Sequence, residues 1–451
     1  MSRGDIGSTR RGFLSRALGI AATTPALAAA GAAAAVPELR TATAADGMTE
    51  PFWGVHQGGI LTPAQAHTYF AAFDLTAAKR SDVVDLLQAW TQAAAKMATG
   101  KPVDPMQTQS ADSYAYNVST TTTVSTSAAP PAAPVSQPDS GESLGLSPSR
   151  LTLTFGFGAG LFVKDEHDRY GLASRRPEAL IDLPKFAGDQ LVDGHTGGDL
   201  SVQACADDPQ VAFHAVRQLV RIAGDRAQMR WAQAGFIPGF GGNETPRNLM
   251  GFRDGTNNPS IHDPAAMDKF VWVGKDGPAW MQGGSYVVIR RIRVALEHWD
   301  RTPVSFQEQT VGRRKHSGAP LGSASEHDSL DLDATGKDGS PVIPETAHVR
   351  LAAAASNDGA RILRRPYSYN DGVNFTAERW PPWRQGLEYD AGLFFIAYQS
   401  DPRSGFVKIF DRMAKLDMMN QFVTHVGGGL FACPGGTAEG EFIGHRLFAD
   451  S

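Results

Sequence analysis

Cysteine is nearly absent from this chain: Cys205 and Cys433 are the only two in 451 residues. Neither lies in a Cys-x-x-Cys pattern, so cysteine-ligated zinc is excluded. Two buried strand thiols are the favoured reading, and whether they join as one bridge stays open. Charge of one sign is lacking too. A net charge of −5, with 20% charged residues and no polybasic run, leaves no footprint for a nucleic acid. Long apolar runs are missing beyond about residue 40, so no later segment reaches the length that spans a bilayer. What remains is an ordinary globular composition, 42% hydrophobic, on a chain long enough for two or three domains with ample core.

The N-terminus reads as address rather than fold. Thr9-Arg10-Arg11-Gly12-Phe13-Leu14-Ser15 precedes an Ala-rich apolar run from Ala17 to about Ala35, with a small-residue cleavage candidate at Ala26-Leu27-Ala28. This resembles a twin-arginine export signal within a leader over 1–45. A membrane anchor is the alternative, and Pro25 within a short, small-residue run speaks against it. The expectation is a soluble protein exported already folded to the periplasm, cell envelope or exterior. A second break runs from 107 to 148, where Ser, Thr, Ala and Pro dominate. Such a stretch buries too little apolar area to offset its ordering entropy, which predicts a flexible surface insertion. Its sequon-like Asn117-Val118-Ser119 carries little weight in that context.

Periodicity then gives an order of elements. Phe52–Ile60 reads as a short strand, and Thr62-Pro63 opens one or two helices through 98 on Phe70, Phe73, Leu75, Val84, Leu87 and Trp90. Strands follow at 151–157, 200–205 and 229–236, with a helix capped by Asp208-Pro209 and closed by Gly224 between the last two. This is β-α-β-β-α-β. The order returns with strands at 285–294, 348–351, 392–398 and 429–432, and helices at 297–312 and 406–416. The fold class is therefore α+β, built as two ferredoxin-like halves over 50–270 and 280–451. Gly156-Phe157-Gly158-Ala159-Gly160 follows a strand, but no parallel unit comes after it, so it reads as a turn.

The chemistry concentrates between and within those halves. In Gly251-Phe252-Arg253-Asp254-Gly255-Thr256-Asn257-Asn258-Pro259, two glycines bracket an acid on a tight loop. Alone, Asp254 would be an ordinary turn carboxylate. Downstream come His348, in Ala347-His348-Val349-Arg350-Leu351, and the cluster Arg361-Ile362-Leu363-Arg364-Arg365. A loop acid, a histidine and a fixed cation are the parts a haem peroxidase needs. The Gly251 to Pro259 segment resembles the signature of the dye-decolourising peroxidases. Phe52 to Phe73, Gly283-Gly284-Ser285-Tyr286, Phe306 to Gly322, Ala347 to Leu351 and Leu363-Arg364-Arg365 with Tyr367-Ser368-Tyr369 resemble its exported branch, which includes the deferrochelatase/peroxidase of bacterial iron uptake.

That resemblance implies a dimeric α/β-barrel-type fold holding one haem b per chain. His348 would be the proximal iron ligand and Asp254 the distal acid/base; Arg364 would stabilise developing negative charge, with Arg365 as the alternative. Gly255, Thr256 and Asn257 would run along the haem edge. Hydrogen peroxide and bulky organic donors would be the substrates, or haem itself if iron is released from an intact porphyrin. Iron-uptake components and a second copy are the partners the resemblance brings. Two departures stand out. Ala353-Ala354-Ala355 replaces a haem-binding Asn-Pro-Arg, and Gln421 falls where a carboxylate behind the proximal histidine is expected, although Asp417 is near. Tyr367, Tyr369, Trp380, Trp383 and Tyr389 could relay electrons, but such clusters are usually packing.

Overall fold

The computed structural model describes residues 48–104, 139–238, 245–377 and 385–449. The leader, the sequon, Trp380 and Trp383 lie outside them. The first half runs β1 (His67–Leu75), α1 (Arg80–Ala98), β2 (Thr152–Phe157), β3 (Leu200–Ala206), α2 (Pro209–Ala223) and β4 (Ala227–Phe236). A short α3 (Pro264–Phe270) leads into the second half: β5 (Ser285–Val294), α4 (Leu296–Arg301), α5 (Val304–Val311), α6 (His348–Ala352), β6 (Leu363–Arg364), β7 (Tyr367–Ala377), β8 (Gln385–Gln399), α7 (Lys408–Leu416), β9 (Val423–Cys433) and α8 (His445–Phe448).

The nine strands among the described residues form one sheet in the order β5-β9-β2-β3-β1-β4-β7-β8-β6, and β5 also pairs with β8. That last pairing closes the sheet into a barrel, which removes its open edges. Every strand pair is antiparallel, and the two halves meet at seams one residue pair wide, Phe157 with Ala432 and Phe236 with Ser368. Within each half the strand order is the same, β4-β1-β3-β2 and β7-β8-β5-β9 for the sheet segments, with the long β5–β8 and β5–β9 ladders carrying the second. The fold is thus mixed α and β around a barrel sheet.

Helix α2 forms as its ends dictate. Asp208 Oδ1 accepts from the Gln210 and Val211 amides, Pro209 opens the first turn and Gly224 ends it at φ 57°. The expected helix from Pro63 does not form before residue 80. Residues 67–75 are strand β1, where Ala71, Phe73 and Leu75 enter one core and Phe70 and Ala72 another. Both faces are apolar, so the alternation that marks a strand is hidden in the sequence. Thr62 accepts from the Gly59 amide rather than capping a helix.

The expected strand at 52–60 is also absent. That segment docks by a side chain, because Gln57 accepts from the Phe155 amide and donates to the carbonyls of Phe155 and Pro434. Residues 348–351, read as a strand, are the start of α6; a four-residue alternation does not separate the two periods. Of the expected flexible insertion over 107–148, residues 107–138 lie outside the described residues. Residues from 139 are described, and Asp139 and Glu142 clasp His214 of α2 at 3.6 and 3.1 Å. Polar contacts fix what apolar area could not. Cys205 and Cys433 are both buried free thiols. No described helix is long and apolar enough to cross a membrane.

Candidate active site

One cavity of about 240 Å³ gathers the residues singled out from sequence. Asp254, Gly255, Thr256, Asn257, His348 and Arg364 all line it. Its floor is apolar, with Ile292 and Val294 of β5, Phe395 of β8, Phe406, and Ile409, Phe410 and Met413 around α7. Because strand residues alternate, β5 and β8 give this face to the cavity and the other to the barrel core.

His348 opens α6, and its side chain, 35% exposed, faces the cavity. Its Nδ1 lies 2.7 Å from Asp417 Oδ2, while Asp417 Oδ1 accepts from the Met419 amide at 2.8 Å. Asp417 ends α7 and is itself only 2% exposed on its side chain. Burial disfavours the charged imidazole, but the charge and hydrogen bond of Asp417 outweigh it, so the pKa of His348 is raised. The carboxylate behind the histidine is therefore Asp417. Gln421, the residue expected there, bonds the Met418 carbonyl instead. A 3-10 turn over Met418–Gln421 rotates it away, whereas the end of α7 aims Asp417 at the ring.

On the loop, Asp254 Oδ1 receives Arg364 Nη1 at 2.6 Å. The glycines on either side adopt φ +84° at Gly251 and +117° at Gly255, conformations an L-residue resists. Asn258 then ties loop to strand: its Nδ2 donates to the Arg364 carbonyl at 2.7 Å and its Oδ1 accepts from the Arg364 amide at 3.1 Å. Glu326 holds the other side, accepting from Thr256 Oγ1 at 2.8 Å and pairing with Arg253 at 3.2 Å. Arg365 does not reach this site. It is buried and donates to the Thr62 carbonyl and Gln65.

Asn258 sits inside the signature and could have been singled out, while Glu326 carries no sequence signal. Arg361 lines the cavity with no partner among the described residues. Ala354, from the run replacing Asn-Pro-Arg, lines it too and offers nothing polar. Tyr367 and Tyr369 are buried in the core.

The arrangement unites an imidazole backed by a carboxylate, a fixed acid–arginine pair and an apolar floor. Comparison with known proteins bears on it directly. The chain matches the family models described as Dyp-type peroxidase, N-terminal over residues 57–237 and C-terminal over 245–438. It is 36% identical to a dye-decolorizing peroxidase of Thermobifida fusca over 98% of this chain and 97% of that one. It is 35% identical to a deferrochelatase of Escherichia coli K12, covering 88% of this chain and 87% of the relative. Among solved structures, ferric DtpA from Streptomyces lividans superimposes with a TM-score of 0.76 at 37% identity, covering 91% of this chain and 99% of that one. A DyP-type peroxidase from Streptomyces coelicolor gives 0.76 at 38%, covering 89% and 98%.

Proposed function

Because the chain belongs to the Dyp-type peroxidase family, we propose that it is a haem b-dependent peroxidase that reduces hydrogen peroxide and oxidises bulky organic donors. The observation that carries this is the convergence of His348–Asp417 and Asp254–Arg364 on one apolar-floored cavity. These residues fit the group. Asp417 occupies Nδ1 of His348 and would leave Nε2 to hold iron, the aliphatic and aromatic floor would suit a porphyrin face, and Arg361, without a partner among the described residues, would hold a propionate. Haem, when bound, supplies an iron centre that takes two oxidising equivalents from peroxide and passes them to donors singly.

The protein's own part is proton handling and charge. Arg364 fixes Oδ1 of Asp254, so Oδ2 is the atom that takes the proton from one peroxide oxygen and gives it to the departing one. Arg364 offsets negative charge on the departing oxygen. Gly255, Thr256 and Asn257 let the loop backbone approach the ring edge. Asp417 makes the imidazole more electron-rich and would lower the potential of a bound iron, the opposite of what an amide at that place would do. Replacing Asp254 by Asn tests the assignment: the reaction with peroxide slows about 10²–10⁴-fold while haem stays bound. A mutant as fast as the wild type removes Asp254 from the mechanism.

The relatives named deferrochelatase support a second reading, in which haem is substrate and iron leaves an intact porphyrin. Apoprotein incubated with haem would then develop metal-free porphyrin fluorescence, and dye turnover without it favours the peroxidase. The strand order of each half supports two ferredoxin-like units, and the twin-arginine motif supports export already folded. A homodimer is read out by mass in solution.

A further inference from the structure

Among the described residues, four buried polar atoms lack a hydrogen-bonding partner at and behind the cavity wall: Asp189 Oδ1, Arg290 Nε, Arg290 Nη2 and His425 Nδ1. Arg290 is 1% exposed and meets Asp189 through Nη1 and Oδ2 at 3.3 Å. Its guanidinium lies over Phe410 at 5.9 Å, and the His425 ring packs on the same Phe410 with centroids 4.6 Å apart. Strand alternation explains the placement. Arg290 and Ile292 share one face of β5; Ile292 lines the cavity and pairs in register with His425, which lines it too. Arg290 is therefore one step deeper than the cavity wall. On its other side Asp189 is flanked by Gly188 and Gln190, both exposed.

Leaving such atoms unbonded costs about 1–3 kcal/mol each, so something bonds them. The donor set selects the occupant. An anion would meet the Asp189 carboxylate, and a cation would meet the guanidinium. Two N–H donors, a carboxylate oxygen and an imidazole nitrogen together suit water, which both donates and accepts. Burial, helped by the nearby Arg290 charge, holds the pKa of His425 down to about 3, so the ring is neutral. A neutral imidazole takes a proton at one nitrogen and releases one at the other.

We propose that ordered water bridging Asp189, Arg290 and His425 forms a proton path from the surface at 188–190 to the inner end of the cofactor cavity. The role rests on the peroxidase reading. Reduction of one hydrogen peroxide to two waters consumes two electrons and two protons. Asp254 only moves a proton between the peroxide oxygens and adds none to the total. Donors too bulky to enter deliver electrons and leave their protons outside, so both protons come from solvent by another route.

The test uses the haem-loaded full-length protein, peroxide, and ferrocyanide, a donor that carries no proton. In His425→Phe the reaction with peroxide is timed first and serves as that variant's own reference, because His425 lines the cavity. The following phase, return to the resting spectrum with ferrocyanide, slows about tenfold and shows a larger H2O/D2O rate ratio. Arg290→Met combined with Asp189→Leu, which removes the pair without stranding a charge, produces the same slowing in a chain whose circular dichroism is unchanged. Equal ferrocyanide phases in mutant and wild type overturn the path. A wild type inert to peroxide defeats the peroxidase reading and the proton role with it. Hydration is decided separately: a crystal structure with water bonded to Arg290 Nε and His425 Nδ1 supports the chamber, and a dry one overturns it.

Discussion

Replacing Asp417 by Asn tests the electrostatics of the site with little change of shape. The wild-type carboxylate is 2% exposed on its side chain and divides its oxygens, Oδ1 to the Met419 amide and Oδ2 to His348 Nδ1. An asparagine keeps one acceptor, enough for one of those bonds. Either the Met419 amide loses its partner, or His348 Nδ1 faces an NH2 group and the ring turns to a different tautomer. Loss of a ligand-orienting carboxylate of this kind costs about 10–100-fold in metal-site affinity, or about 1.4–2.7 kcal/mol. Two assays read it. Haem transfer to an excess of apomyoglobin becomes about 10–100-fold faster, and the midpoint potential of the bound iron rises because the imidazole donates less charge. Asp417→Glu, which restores the charge on a longer arm, recovers part of the potential shift. If Asp417→Asn leaves both the transfer rate and the potential at their wild-type values, the 2.7 Å contact has no hold on the ligand and the assignment of His348 fails with it.

Two further outcomes follow from contacts away from the ring. Glu142 is held at a pKa of about 2; burial opposes this, but hydrogen bonds from Ser140 and His214 and the charge of His214 prevail. A depressed carboxylate stabilises the fold above its unfolded value and loses that contribution as pH falls through its folded one. Urea midpoints of wild type and Glu142→Gln should therefore differ most above about pH 4.5, by no more than about 3 kcal/mol, and converge near pH 2. Asn258→Ala removes both bonds to the Arg364 backbone, lowering stability by about 1–3 kcal/mol and slowing the peroxide reaction by loosening Arg364 relative to Asp254; a normal rate would show that β6 alone positions the arginine.

How far the sequence carried these assignments depends on whether a residue's role is written locally. Asp208-Pro209 and Gly224 bound α2 because a cap is an interaction between near neighbours. The order of elements was legible only in part: residues 348–351, read as a strand, open α6, β7 was not read at all, and β1 was hidden because a strand buried on both faces loses its alternation. At the site, Asp254 and Arg364 were legible through their motifs, and the 2.6 Å contact joins residues 110 apart that no periodicity connects. Asp417 shows the limit. Four residues separate it from Gln421, and only the geometry at the end of α7 decides which meets His348. Arg290 and His425 are further still from local legibility. On paper one is a charged residue in a strand and the other a lone histidine, and their unpaired atoms exist only once β5 and β9 are in register. Polar groups left unpaired by packing are costly, so a fold that keeps them has a reason that only the assembled structure exposes.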